Sequence, residues 1–236
     1  MRLISRIFTA CMPISIFLLS LIVSACQESQ GRAGRAPVVG GDNQAAAKAR
    51  HGRAPDNYRD AKRLFWRELY ADGGETLYCA AEFGERHGRK INVEHVFPMS
   101  WVARALHCGE REDCRHHSRR FNRIEADLHN MYPALKQVNA LRSAMAFAEI
   151  RGEKHYYPWC DIEVDFRRRK VEPRDAAQGN IARAMLYMAD RYDLKLFDKQ
   201  RRLLRKWDRL DPPNARERER NRLIERVQGN RNPYID

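Results

Sequence analysis

The 236-residue sequence contains no HExxH, no GxxxxGKS/T and no GxSxG. It therefore lacks the signatures of a metalloprotease, a P-loop NTPase and a serine hydrolase. It has no internal repeat, so repeat architectures are set aside. It has no second apolar core, so one domain of ordinary size plus tails accounts for its length. Acidic residues are scarce beside basic ones: 31 Asp and Glu against 44 Lys and Arg, with a formal charge of +13 and a pI near 9.8. That imbalance points to a polyanionic partner, nucleic acid or an anionic surface, and says nothing about fold.

What is present begins with an address. Arg2 and Arg6 precede the apolar run IFTACMPISIFLLSLIVSA, which ends in small residues. The pattern predicts a secretory signal over residues 1–25 and a periplasmic or extracellular protein. Val23-Ser24-Ala25-Cys26 also resembles a bacterial lipoprotein signal, in which Cys26 becomes a lipidated first residue held at the outer membrane. Ordinary cleavage after Ala25 is the alternative. Removing residues 1–25 takes two Arg and no acid, which lowers the charge from +13 to +11. Six Cys are present, and five remain once Cys11 leaves with the signal. An odd number is awkward in an exported chain. With Cys26 carrying lipid, Cys79, Cys108, Cys114 and Cys160 can pair in an oxidising compartment. Four Cys allow three pairings. The reading favoured here has Cys108–Cys114 closing a short loop and Cys79–Cys160 a long one.

Residues 26–56 are rich in Gly, Ala, Gln and Arg and poor in large apolar side chains, which predicts a flexible tether. The folded domain is expected over residues 57–236. DNYRDAKRLFWRELYAD has apolar residues at helical spacing. ETLYCAAEF and RKINVEHVFP read as two short strands, the second stopped by Pro98. SWVARALHC reads as a helical turn capped by Ser100, and residues 107–121 as a charged loop. The stretch up to Pro133 is loop-like. Residues 134–149 place Leu135, Val138, Leu141, Met145 and Phe147 near one stripe and predict a helix. CDIEVDF alternates like a strand, and GNIARAMLYMADRYD is an apolar core helix. The basic end is helical, with Asp211-Pro212 starting the last helix and Gly229 stopping it. The class is α+β, mostly helical.

The stretch VEHVFPMSW places Glu94 beside His95 just before a strand-breaking proline. Histidine exchanges protons near neutral pH. Divalent-metal chemistry on phosphates needs a few hard oxygen ligands. Glu94 offers one, and Asn139 on the following helix offers another. A site of this kind would use His95 to deprotonate water and Glu94 with Asn139 to hold a cation. Arg111 would clamp phosphate. The same residues have ordinary readings. Glu94 could pair with Lys90, His95 be a satisfied half-buried imidazole, Asn139 a helix-cap amide and Arg111 a solvated loop charge. A regular strand also sends Glu94 and His95 to opposite faces.

Several segments, in order, resemble the bacterial endonuclease I family of exported nucleases: EHVFPMSW, GEREDC, RIEADLHNMYPALKQVNALRS, VEPRDAAQGNIARAMLYMADRY and QGNRNPYID. The resemblance spans most of residues 57–236. It implies a ββα-metal (His-Me finger) core with surrounding helices, and a metal-dependent, sequence-nonspecific endonuclease. It implies His95 as general base, Glu94 and Asn139 as ligands of Mg²⁺ (or Ca²⁺ or Mn²⁺), and Arg111 as the phosphate clamp. It implies Glu125 as an acidic residue near the site, tied to leaving-group protonation. His129 and Asn130, inside a matching block, are candidates to support the site through hydrogen bonds, or else a turn imidazole and amide.

Cys108, Cys114, His116 and His117 could bind zinc, but C-x₅-C is not a usual zinc spacing and the compartment favours a disulfide. The basic runs 167–170 and 200–209 could track a nucleic-acid backbone, with Arg201, Arg202, Arg205 and Lys206 in contact with phosphates. Arg–Glu pairs in RERERNRLIERV read instead as a helix face stabilised from within. The expectation is an exported endonuclease acting as a monomer on DNA, and on RNA as a further substrate. The rival is a non-catalytic basic envelope lipoprotein that binds nucleic acid or other polyanions.

Overall fold

The computed structural model describes residues 54–152 and 154–236. The expected signal, the lipidation at Cys26 and most of the tether lie outside these residues. The described part is α+β with more helix than strand.

The centre is two strands and a helix. Strand β3 (Ile91–His95) pairs antiparallel with β4 (Met131–Leu135), with Ile91 opposite Leu135 and His95 opposite Met131. Helix α5 (Lys136–Arg142) follows β4 directly. Two buried arginines hold the carbonyls at one end of this unit. Arg142 donates to His95 O and Val96 O. Arg220, from the last helix, donates to Leu128 O and Met131 O and lies over the Tyr132 ring at 4.1 Å. These carbonyls lie at or beyond the last pair of the ladder, and would otherwise be left in a dry interior.

The 35-residue excursion between the strands is where the structure departs most from the expectation. SWVARALHC is part of a full helix, α2 (Met99–Leu106), begun by Pro98 and not capped by the Ser100 side chain. Residues 107–121 are not a loop. They form α3 (Arg111–His117) and the start of α4 (Arg119–Glu125). Glu110 and Asp113 make a reciprocal capping box, with acids in the first turn of α3 and Arg115, His116 and His117 in the last, as a helix dipole favours. The charge that suggested a loop is carried by a helix, with Glu112, Asp113, His116 and His117 exposed and Arg111 and Arg115 reaching the buried Glu125. The segment before Pro133 is not irregular either, because β3 recruits it as β4.

The run expected as one helix over 134–149 breaks after Arg142. Ser143 takes φ +49°, and Ala146–Phe147 becomes strand β5, parallel to β7 (Lys170–Pro173), which also pairs antiparallel with β6 (Ile162–Asp165). ETLYCAAEF is likewise not one strand. It turns between β1 (Gly74–Glu75) and β2 (Glu82–Phe83), which puts Tyr78 into the core. The first helix is α1 (Tyr58–Leu64), capped by the Asn57 side chain and continued as a π turn over Phe65–Leu69.

Helix α6 (Asp175–Tyr192) is the core helix, as its apolar sequence predicts. Gly179 is where α7 (Asp198–Leu210) ends against it. Gly179 N donates to Asp211 Oδ2 at 2.9 Å, and a Cβ there would sit 1.9 Å from Asp211 O. The last helix, α8 (Ala215–Gln228), starts at Asn214, whose side chain accepts from Glu217 N, not at Asp211. Gly229 stops it in the left-handed region, as expected. Arg183 of α6 ties α8 down through the buried Glu217 carboxylate, with Asp208 at 3.1 Å. Both favoured disulfides, Cys79–Cys160 and Cys108–Cys114, are formed.

Candidate active site

β3 ends at His95, which is 7 % exposed. Its Nε2 lies 2.9 Å from Glu125 O at the end of α4. A carbonyl only accepts, so Nε2 carries the proton and Nδ1 holds the lone pair. Burial and the nearby Arg111 guanidinium pull the imidazole down to about 4, so it is neutral at pH 7. Among the described residues His95 Nδ1 makes no hydrogen bond, and it is not sealed from solvent.

The Glu125 carboxylate is fully buried and carries two arginines of α3. Arg111 Nε donates to Oε1 at 2.6 Å; Arg115 donates to Oε2 through Nε and to Oε1 through Nη2, both at 2.8 Å. Burial pushes this carboxyl up, but the two guanidiniums outweigh it and hold it below its ordinary value. Glu125 is therefore an anchor in ionised form, a poor fit to the proton-donor role implied by the resemblance. Its carbonyl sets the His95 tautomer, and its carboxylate aims the arginines. Both guanidiniums also lie near the Tyr58 ring, at 5.6 and 5.3 Å, and Tyr58 packs on His95. Arg111 bonds Glu125 only through Nε and is 43 % exposed, which leaves its Nη groups for an anion.

Glu94 has different neighbours from His95, as strand alternation requires. It is buried, not a surface acid paired with Lys90. Tyr78 OH donates to its Oε1 at 2.6 Å, and Arg142 Nη1 lies 3.1 Å from the same oxygen. Burial raises the Glu94 carboxyl, opposed by Arg142 and Tyr78. Arg111 acts electrostatically on Glu94 and His95 alike, so the two faces of the strand meet in its field. Asn139 lies within α5, not at its cap. Its Nδ2 donates to Asn92 Oδ1 at 3.0 Å and Val93 O at 3.2 Å. Both partners are acceptors, which fixes the amide orientation and leaves Oδ1 as the free end. Asn139 Oδ1 and the Glu94 carboxylate, which also accepts a hydrogen bond from the His95 backbone, are thus hard oxygens on adjacent elements. That donor set fits one Mg²⁺-like cation retaining several waters.

Asn130 pins the chain two residues past His95: its Oδ1 accepts from Phe97 N at 2.7 Å and its Nδ2 donates to Phe97 O at 3.0 Å. His129 faces elsewhere. Its Nε2 meets Asn230 O at 3.1 Å and its ring packs on Tyr187, so it braces the C-terminal tail. Of the four α7 cations expected to meet phosphate, Arg202 and Lys206 line a cleft of about 1270 Å³ together with Trp101, Phe147, Arg104 and Lys170. Arg201 and Arg205 occupy another face, where both act on Asp190 and Arg201 pairs with it at 2.8 Å. On α8, Arg222 and Arg226 pair with Glu219 within the helix and Arg216 reaches Glu75, while on α7 Lys206 pairs with Glu149 at 2.6 Å. Arg115, Tyr78, Arg142 and Tyr58 were not singled out from sequence. Arg115 carried one signal, its position four residues after Arg111, which reading the segment as a loop concealed.

The family model described as Endonuclease I matches residues 50–236. An extracellular deoxyribonuclease of Aeromonas hydrophila is 41 % identical over 174 residues, covering 72 % of this chain and 75 % of that protein. A periplasmic deoxyribonuclease of the same organism is 40 % identical over 151 residues, covering 62 % of this chain and 63 % of that one. An extracellular ribonuclease of Bacillus subtilis (strain 168) is 38 % identical over 128 residues, covering 47 % and 43 %.

Proposed function

The chain belongs to the endonuclease I family, and from that premise we propose that it is an exported, metal-dependent endonuclease that hydrolyses phosphodiesters of DNA without sequence preference. RNA is a further substrate, in keeping with the ribonuclease among its relatives. β3, β4 and α5 are its ββα-metal core. The observation that carries the reading is the state of His95: neutral, with Nε2–H tied to Glu125 O and Nδ1 open beside an arginine pair.

His95 Nδ1 takes a proton from water as the water oxygen bonds to phosphorus and the ester P–O bond on the far side breaks. Arg111 presents its Nη groups to the phosphate oxygens, and Glu125 with Arg115 keeps it aimed there. Tyr58 closes one side of the imidazole and limits its rotation. A divalent cation held by Glu94 and Asn139 would neutralise charge developing on the phosphate and leaving oxygen. Sequence enters nowhere in this arrangement, since every group named addresses backbone phosphate. Plasmid DNA in a zymogram, with Mg²⁺ and then with EDTA, tests the reading. Cleavage that needs Mg²⁺ supports it. Cleavage indifferent to EDTA removes the cation from the mechanism. Binding without cleavage under either condition leaves the non-catalytic polyanion-binding alternative.

A further inference from the structure

Far along the chain from the catalytic pair, four aromatic rings touch in series on the surface. Phe166 meets Tyr156 with centroids 5.5 Å apart, Tyr156 meets Tyr157 at 4.8 Å, and Tyr157 stacks on Trp159 at 4.7 Å with planes 20° apart. Tyr156, Trp159 and Phe166 are 46, 51 and 58 % exposed. Leaving three large rings in water in one patch forgoes burial that each could have contributed, and a contiguous exposed patch of this kind marks a contact surface. The platform is braced. Cys160 is disulfide-bonded to Cys79, Tyr156 N donates to Ile162 O at 2.7 Å, and Cys160 N donates to Tyr157 O at 3.1 Å. Little ordering cost remains for a ligand to supply.

The surroundings select the ligand. The β6–β7 turn that carries Phe166 continues as Arg167, Arg168 and Arg169, all exposed. Arg167 and Arg169 form no ion pair among the described residues, while Arg168 reaches Asp165 only at 3.8 Å. Exposed rings, stacked at Tyr157–Trp159 and edge to face at the other two contacts, beside uncompensated guanidiniums match unpaired nucleobases on a phosphate backbone. Trp159 has one face on Tyr157 and half its surface open, so a second face is offered. The array is also linked to the catalytic centre. Cys79, its disulfide partner, adjoins Tyr78, whose hydroxyl holds Glu94.

Resting on the reading that this chain acts on nucleic acid, we infer that the Phe166–Tyr156–Tyr157–Trp159 array with Arg167 and Arg169 is a subsite for single-stranded nucleic acid. It stacks unpaired bases of a bound strand, with the arginines on its phosphates. A duplex, with its bases already stacked, gains only the arginine contacts.

The test reads binding alone. Fluorescein-labelled oligothymidylate and a duplex hairpin with the same number of phosphates are titrated in EDTA by anisotropy. The protein is the His95→Ala variant, with and without Trp159→Ala and Phe166→Ala. Loss of the rings weakens single-strand binding by about tenfold or more and changes hairpin binding by less than about twofold. Trp159→Phe, which keeps a stacking face and tolerates the same packing, retains most of the affinity. Equal loss for both oligonucleotides, or loss for neither, overturns the inference. Ring-dependent co-sedimentation with phosphatidylglycerol vesicles, or a ring-dependent dimer in sedimentation velocity, without a single-strand effect, gives the patch to another occupant and also overturns it. A chain that never cuts plasmid could still pass this test, so its failure and the failure of the nuclease reading are told apart.

Discussion

His95 and His129 are near-copies in local chemistry. Each is buried, each sets Nε2 against a backbone carbonyl, at 2.9 and 3.1 Å, and each is pulled down to about 4, chiefly by burial. Both therefore sit neutral with the lone pair on Nδ1. They differ in access and in company. His129 is 1 % exposed, and its Nδ1 is sealed without a partner among the described residues. Around it Asp127 accepts from Tyr187, Tyr192 and Gln228, and the one cation acting on the ring is Arg220, which is engaged by the carbonyls of Leu128 and Met131. His95 keeps an unsealed Nδ1 and stands beside two arginines that share one carboxylate. A low proton affinity and a fixed tautomer do not make a base. The proposed role of His95 rests on what it has in addition, an open lone pair beside two cations.

Removing each imidazole is the strongest way to break the pair apart. His95→Ala should lower turnover by about 10²–10⁴-fold, the contribution of a positioned general base, with the melting temperature little changed. His129→Ala should leave turnover per folded molecule intact and cost about 1–3 kcal/mol of stability, because its partners lose a buried contact. Plasmid cleavage and thermal melts of both variants decide it; a His129→Ala enzyme that folds normally yet fails to cut would erase the distinction.

Acid should treat the two alike. Each folded-state value is depressed from the ordinary 6.5 to about 4. The folded protein thus binds fewer protons than the unfolded chain between those values, and stability present above 6.5 is lost as pH falls towards 4. The loss is on the order of 3 kcal/mol per histidine. Denaturant titrations from pH 7.5 to 4 should show this decline, and His129→Gln should remove about half of it. An unchanged slope in His129→Gln would place the acid sensitivity elsewhere.

The smallest effect sharpens the difference in company. Glu125→Gln keeps the carbonyl on His95 but releases the arginines, and should reduce kcat by about 10- to 100-fold through misplacement of Arg111. It also leaves two uncompensated guanidiniums near the imidazole, so the acid limb of the rate profile should move to lower pH. A purely structural role would lower the melting temperature without moving that limb. Asp127→Asn near His129 should leave the rate profile where it was.

Much of this was legible in the chain. EHVFPMSW and QVNALRS carried His95, Glu94 and Asn139, and GEREDC carried Arg111, because motif residues keep their spacing whatever packs on them. Helix α6 and the stop at Gly229 were readable because burial on all sides and left-handed caps leave local traces. The helices of 111–125 were hidden by their charge, and β4 by its proline. Pro133 lies inside the strand opposite Val93, and its carbonyl accepts from Leu77 N, so it holds a place in the sheet where local rules expect a break.

The sequence by itself determined which side chains were available, their order, the export-like start and the excess of positive charge. Only the tertiary structure decided which polar atoms are tied up and which are left open. His95 takes its tautomer from a carbonyl 30 residues away, and Glu94 its environment from Tyr78, 16 residues back, and Arg142, 48 residues on. Proton affinity and hydrogen-bond direction depend on desolvation and on charges within a few ångströms. Those neighbours are brought together by β3–β4 pairing and by the helices packed across it, and local sequence does not encode such distances.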